Sequence, residues 1–189
     1  MADESVLAHS DKRSRIIVAA QRLFLRHGFK RTSIEDVANE AGVAKGTVYL
    51  YLDSKEALLS AVAERFCEET LTEASAALVE PRPPTEQLVG FLDAYVGKFS
   101  RHISQTPEAA QVLRSHKSIL TEVGKSFDAR LLTLLQSALK TLGIEREDAA
   151  DMFLAAAWGA FKTGDPAPEP YRARLAAMID ILIVGLKHP

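Results

Sequence analysis

The chain has few of the residues that build covalent or metal-bound sites. It has one cysteine among 189 residues, Cys67, so it can form no internal disulfide and offers no cysteine pair to a metal ion. Its five histidines do not show the i, i+4 pairing that binds zinc on a helix. We therefore expect no metal and no cofactor, and the single thiol favours a reducing compartment, the cytoplasm.

Long apolar runs and strand-like alternation are also missing. The longest apolar run, near the C-terminus, is interrupted by Asp180 and falls short of the roughly 20 residues that span a bilayer. The N-terminus, MADESVLAHSDKRSR, lacks the basic-then-apolar order of a signal peptide, and we expect it to form a loose polar arm. These absences predict a protein outside the membrane with an all-α fold.

Apolar residues recur with helical spacing along most of the chain, and 47% of all residues are apolar, enough for a sizeable core. The pattern predicts about nine helices. Their expected positions are 12–27, 33–40, 45–51, 55–80, 85–103, from 106 onward, 119–142, 146–162 and 171–187.

Turn and cap residues divide the N-terminal part into three short helices. Gly28 is expected to end the first, and Thr32 with Glu35 matches a capping box at the second. Gly42 supplies the turn to the third. This order, two short helices joined by a glycine turn, is typical of a helix-turn-helix.

Charge is distributed unevenly although the net charge is only -2. Residues 12–55 hold nine Lys or Arg and four Asp or Glu, a balance of +5, so the remainder carries -7. A basic module suited to phosphates joined to an acidic body is the pattern expected of a DNA-binding regulator.

The third helix concentrates groups that can contact DNA. A seven-residue helix is about 10 Å long and fits the major groove, which is ~12 Å wide. Its lysine, hydroxyl and tyrosine side chains can bond to phosphate or to base edges, and a glycine permits close backbone approach. These residues are Lys45, Gly46, Thr47, Tyr49, Leu50 and Tyr51. The alternative is a plain three-helix cluster with exposed tyrosines.

The run RIIVAAQRLFLRHGFKRTSIEDVANEAGVAKGTVYLYLDSKEALL resembles the DNA-binding domain of the TetR family of bacterial transcriptional regulators. The likeness includes Gly28-Phe29, Ala41-Gly42-Val43, Lys45-Gly46-Thr47 and Ser54-Lys55-Glu56. It implies a helix-turn-helix domain in residues 1–57 and a helical ligand-binding and dimerisation domain in residues 58–189.

The resemblance also implies partners and roles. A homodimer would pair through about 146–162 and 171–187 and bind a palindromic double-stranded operator as a repressor, released by a small apolar effector. DNA contacts are implied for one set of positions: Thr32, Ser33, Lys45, Gly46, Thr47, Tyr49, Leu50, Tyr51 and Lys55. Within that set Thr32, Tyr49, Tyr51 and Lys55 would hold phosphates, whereas Lys45, Thr47 and Leu50 would face bases.

Three positions depart from the family pattern. Ala44 stands where a capping serine is common, a cap worth about 1 kcal/mol. Leu50 stands where a polar residue is frequent, so we expect an apolar contact with a thymine methyl there and no base hydrogen bond. Leu52 replaces the usual phenylalanine.

The sequence favours no enzymatic reading. Gly124-Lys125-Ser126 imitates the end of a phosphate-binding loop, but Ile119 occupies the place of its first glycine.

Residues expected to line an effector pocket are Tyr95, Phe99, His102, His116, Phe127 and Trp158. The remaining alternative is a ligand-independent architectural DNA-binding protein, whose body would lack a cavity. For 171–187, burial within a monomeric core is the alternative to a subunit interface.

Overall fold

A computed structural model of the chain describes residues 2–101 and 106–187, with side chains described from residue 11 onward. Within these ranges it contains nine α-helices, a π-helical segment and no strand, so the predicted all-α class is confirmed. The helices are α1 Ala2–His27, α2 Ile34–Ala41, α3 Lys45–Tyr51, α4 Lys55–Val79, α5 Pro84–Leu92, α6 Pro107–Ser115, α7 Lys117–Thr141, α8 Ala149–Lys162 and α9 Pro168–Lys187. The π-helical segment, Asp93–Lys98, follows α5 directly.

The chain forms two compact units, divided differently from the expected 1–57 and 58–189. The first unit comprises Met1–Phe66 and Thr106–Gly124, and the second comprises Cys67–Gln105 and Lys125–Pro189. The first unit extends past residue 57 because Leu58, Leu59 and Ala61 of α4 are buried in its core. It also gains α6, which packs against α1.

The core of the first unit follows the helical spacing of the sequence. Ile16, Ala20 and Phe24 lie on one face of α1, at i, i+4 and i+8, and are buried. Val37 of α2 and Val48 of α3 are fully buried against them. This apolar centre fixes the angles at which α2 and α3 leave α1.

Two local expectations for this unit were wrong. The polar arm is helical, and α1 begins at Ala2, because no glycine or proline interrupts the chain before Gly28, which ends the helix with φ 81°. The capping box of α2 is formed by Ser33 and Asp36, one residue later than the predicted Thr32 and Glu35.

The second unit packs α5, α7, α8 and α9 around a separate core. Its fully buried residues include Phe91 of α5, Leu135 of α7 and Phe153 of α8. On α9 the inward face presents residues spaced by four, Tyr171, Leu175 and Ile179. The helix is therefore anchored in this core along one side, while apolar residues also occupy its other side.

The predicted helix 85–103 is interrupted by the π-helical segment. Asp93 is buried there and binds two arginines, with Arg101 Nη2 2.6 Å from its Oδ1 and Arg172 Nη1 3.2 Å from its Oδ2. Gly97 lies against this group, and a Cβ at that position would be 2.1 Å from Asp93 Oδ1 and 2.7 Å from Tyr171 Cε1. Only glycine leaves room for the carboxylate.

Candidate nucleic-acid interface

The helix pair α2–α3 is held by caps and one long arginine. The Ser33 amide donates to Asp36 Oδ2 at 2.8 Å, and the Asp36 amide donates to Ser33 Oγ at 3.1 Å. The bond from the Ser33 amide, and then that from its hydroxyl, lower the pKa of Asp36. The box is therefore intact at neutral pH and is lost only when acid protonates this carboxylate.

The turn between the two helices depends on Gly42, whose φ of 67° favours glycine. Arg15 from α1 reaches the same point, and its Nη2 donates to the Ala41 carbonyl at 2.5 Å. This bond satisfies a carbonyl at the end of α2 that has no partner within the helix. The turn is thereby tied to the first helix.

The outer face of α3 is open to solvent. Val48 alone in α3 is buried, whereas Lys45 and Gly46 are exposed and Thr47 and Tyr51 are half-buried. Tyr49 is 46% exposed and Leu50 is 83% exposed, and the core of this unit includes neither side chain. A short helix anchored by one valine therefore presents a lysine, a hydroxyl and two large side chains outward.

The N-terminus of α3 lacks a side-chain cap, as expected from Ala44. Ala44 has the extended backbone of an N-cap residue, but no side-chain hydrogen bond closes the helix there. Its carbonyl accepts from the Thr47 amide at 2.8 Å. Lys45 Nζ lies 3.4 Å from Glu35 Oε2, an exposed pair that a phosphate can replace at little cost.

Lys55 opens α4 beside an aromatic ring. Its Nζ lies 4.3 Å from the centroid of Phe29, a cation–π arrangement. The preceding Ser54 caps the helix, since its Oγ accepts from the Ala57 amide at 3.0 Å. Partial burial lowers the pKa of Lys55, and the carboxylates of Glu56 and Asp36 oppose that effect. The ammonium is thus held in place at a helix N-terminus, which favours an anion.

Thr32 has a structural role that the sequence did not indicate. The residue is buried, and its hydroxyl lies 3.0 Å from the Gly28 carbonyl and 3.3 Å from the Leu23 carbonyl. Its amide donates to the Phe29 carbonyl. Its hydroxyl therefore closes the α1–α2 turn and is not presented to a phosphate, which leaves the cap of α2 to Ser33.

A cavity of about 150 Å³ lies within the second unit. It is lined by Phe91, Tyr95, Asp128, Leu131, Leu132, Leu135 and Leu154. The Tyr95 hydroxyl donates to Asp128 Oδ1 at 2.7 Å, and the Tyr95 ring packs edge-on to Phe127 with 5.7 Å between centroids. Burial and the bond to Asp128 raise the pKa of Tyr95, so the phenol keeps its proton.

The structure brings together only part of the predicted pocket. Tyr95 lines the cavity and Phe127 supports it, while Phe99 is half-buried and is not among the lining residues. His116 belongs to the first unit, where its ring packs against Phe29 with 4.2 Å between centroids. Trp158 is 36% exposed. His102 lies outside the described residues.

Sequence reasoning missed Asp128 and the leucines of the cavity. Leu131 and Leu135 share a face of α7 with Asp128, at i+3 and i+7, so the periodicity could have grouped them. Aromatic side chains were favoured as pocket residues, and an exposed aspartate gave no signal.

No three acidic, His or Cys residues among the described residues are placed to hold a metal ion. No helix of the described part is long and apolar enough to cross a membrane.

The geometry defines a class of protein. A helix-turn-helix module is formed by a three-helix cluster with a buried core, a glycine turn and an exposed short helix whose face is basic and aromatic. The second unit is a helical body that contains a cavity.

Comparison with known proteins gives the family. Residues 16–62 match the family model of bacterial regulatory proteins of the tetR family. The N-terminal domain of the chain is therefore of the TetR type, and the resemblance inferred from that stretch of the sequence is confirmed.

Two curated relatives each match about a third of the chain. The uncharacterized HTH-type transcriptional regulator YerO of Bacillus subtilis is 44% identical over 57 residues, 30% of this chain and 20% of that protein. The HTH-type transcriptional repressor KstR2 of Rhodococcus jostii is 30% identical over 60 residues, 32% of this chain and 29% of that protein. The chain thus spans less than a third of the length of these relatives.

Solved structures extend the likeness in fold to most of the chain. A TetR/AcrR-family regulator from Thermobifida fusca has a TM-score of 0.64 at 23% identity, with 93% of this chain and 98% of that chain covered. The regulator FadR of Bacillus subtilis, solved with stearoyl-CoA, has a TM-score of 0.56 at 18% identity and covers 91% and 98% of the two chains.

Proposed function

We propose that this protein is a homodimeric transcriptional repressor that binds a palindromic operator through α3 and is released by a small-molecule effector. The exposed face of α3 carries the proposal. Lys45, Thr47 and Leu50 can reach base edges, and Tyr49, Tyr51 and Lys55 can reach the DNA backbone, whereas Thr32 supports the motif from within.

Leu50 sets the expected form of base recognition. Its side chain is 83% exposed, so it takes no part in the core of the unit. An apolar side chain cannot hydrogen-bond a base but can pack on a thymine C5-methyl in the major groove. We therefore propose that an A·T pair in each half-site is selected by this contact.

Pairing of two chains is supported by the outer face of the last two helices. Opposite its buried residues, α9 exposes Ile181 at 72% and Val184 at 64%, with Met178 beside them. Trp158 of α8 is also exposed, and Met178 Cε lies 4.0 Å from the position of a Cβ on Gly159. Two such faces would bury apolar surface on pairing. In the dimer we expect the two α3 helices to lie about 34 to 36 Å apart, one turn of DNA.

Control by an effector is supported by the cavity of the second unit. A ligand-independent architectural protein would fill its body, whereas this one leaves about 150 Å³. KstR2 is a repressor by name and FadR was solved with stearoyl-CoA, so both properties occur among similar proteins. A coupling of ~1 to 3 kcal/mol would suffice for a switch.

The DNA contact is tested with two lysine variants that change charge equally. Lys55→Ala lies at the proposed interface, and Lys140→Ala lies on the exposed end of α7. Each is titrated by fluorescence anisotropy against the duplex upstream of its gene at several salt concentrations.

We expect Lys55→Ala to weaken binding and to lower the salt slope by about one, since one phosphate contact is lost. Lys140→Ala should match the unaltered protein. Equal slopes for all three proteins would overturn the proposed interface.

A further inference from the structure

The cavity of the second unit has an unusual balance of polar groups. Its described lining is apolar except for Tyr95 and Asp128, and these two side chains are bonded to each other. The phenol donates its only hydroxyl proton to the carboxylate. Lone pairs and one negative charge are therefore all that these two side chains offer a ligand.

Asp128 accepts a hydrogen bond from Tyr95 but has no ion-pair partner among the described side chains. No lysine or arginine in the described part of the chain forms an ion pair with it, whereas Glu68, Glu73 and Asp93 each have such a partner. Asp128 is itself exposed, so its carboxylate lies at the mouth of the cavity and the leucines line the interior. A charged edge above an apolar interior suits an amphipathic molecule.

From this arrangement we infer that the effector is a small organic cation, an ammonium group attached to an apolar body of about the size of a benzene ring. A cavity of about 150 Å³ accommodates one benzene-sized body. The ammonium would bond to Asp128 and lie near the rings of Tyr95 and Phe91, whose faces attract cations. Carboxylates of equal size would be repelled. The inference rests on the proposed effector site and replaces the purely apolar effector expected from the sequence.

Three probes of one shape test the charge preference with the unaltered protein. They are 2-phenylethylamine, a cation at neutral pH, 2-phenylethanol, which is neutral, and 3-phenylpropanoate, an anion. Each is titrated by calorimetry to about 10 mM, because ligands of this size bind in the millimolar range or somewhat tighter. We expect the amine to bind about fivefold tighter than the alcohol, the upper end of what one exposed ion pair contributes, and the anion not to bind.

A matched pair of variants assigns the preference to one carboxylate. Asp128→Asn keeps an acceptor for Tyr95 and removes the charge, whereas Asp151→Asn removes an equal charge from the exposed surface of α8. Asp128→Asn should bind amine and alcohol with equal affinity, and Asp151→Asn should keep the fivefold preference. If Asp128→Asn fails to fold, the ranking of the three probes by the unaltered protein decides the matter.

Several results would overturn the inference: no binding of the amine, tighter binding of the anion, or an unchanged preference in Asp128→Asn. The same probes are then added to the protein–DNA complex. Selective amine binding without DNA binding or release would refute the proposed function and leave the ligand class standing. DNA binding with no preference for the amine would refute the ligand class and leave the proposed function standing.

Discussion

Thr32 and Lys55 flank the helix-turn-helix and were expected to do the same work, yet their surroundings differ. The lysine ammonium lies at a helix N-terminus over Phe29 and is only partly shielded from solvent. The threonine hydroxyl is enclosed and donates its one proton to the Gly28 carbonyl at 3.0 Å, with the Leu23 carbonyl of α1 at 3.3 Å. At the residue scale, we expect Lys55 to contribute charge towards a phosphate and Thr32 to contribute stability.

Replacing Thr32 tests this assignment. Thr32→Val removes the hydroxyl at nearly constant volume and should lower the free energy of unfolding by about 1 to 2 kcal/mol, because the buried Gly28 carbonyl loses its donor. Thr32→Ser keeps the hydroxyl and should lose less. Urea unfolding measures both, and DNA affinity of the folded protein should stay unchanged. Weaker DNA binding by Thr32→Val at unchanged stability would contradict the structural role.

At the scale of elements, the π-helical segment is the part most dependent on one residue. Gly97→Ala would place a Cβ 2.1 Å from Asp93 Oδ1, within a buried ion-pair group that cannot move far. We expect a loss of more than about 2 kcal/mol in unfolding free energy.

Gly124→Ala is the matched control for that change. Gly124 lies within α7, and a Cβ there would meet nothing within 4 Å. Alanine should therefore stabilise the helix by roughly 0.5 to 1 kcal/mol. Thermal unfolding of both variants gives the comparison, and similar effects of the same sign would show that Gly97 is not constrained by Asp93.

The sequence predicts elements well where periodicity and caps agree. The predicted third helix, residues 45–51, matches α3, since Gly42 before it and the buried Val48 mark its position. The capping box was misplaced by one residue because Thr32 and Ser33 are both hydroxyl residues and Glu35 and Asp36 are both acids. The bond from the Thr32 hydroxyl to the Gly28 carbonyl decides between them, and the spacing of hydroxyl and acidic residues does not reveal that bond.

The cavity could be predicted only in part for a similar reason. Helical spacing marks the buried faces of 85–103 and 119–142, but it does not say where facing side chains fail to fill the space. Tyr95 and Phe127 were predicted as pocket residues because they are aromatic, whereas Asp128 was not predicted. The π-helical segment was also missed, because Asp93 and Gly97 fit an ordinary helix until Arg172 from α9 is brought beside them.

At the scale of the whole molecule, the exposed apolar face of α8 and α9 predicts a dimer. Ile181→Glu introduces a charge at its centre and should give a monomer of 20.7 kDa, where the unaltered protein should have twice that mass. Val79→Glu, at a valine that is 82% exposed on α4, is the control and should remain dimeric. Light scattering measures all three. A monomeric unaltered protein at micromolar concentration would contradict the interface.

The central claim is that two copies of α3 read one symmetric DNA site. Selection of binding sites from a pool of random duplexes by the unaltered protein tests this directly, because the pool contains every candidate half-site at the outset. We expect a palindrome whose half-site centres are about 10 base pairs apart or a multiple of that, with an A·T pair that Leu50→Ala no longer selects. Absence of enrichment, or a single asymmetric site, would contradict the account.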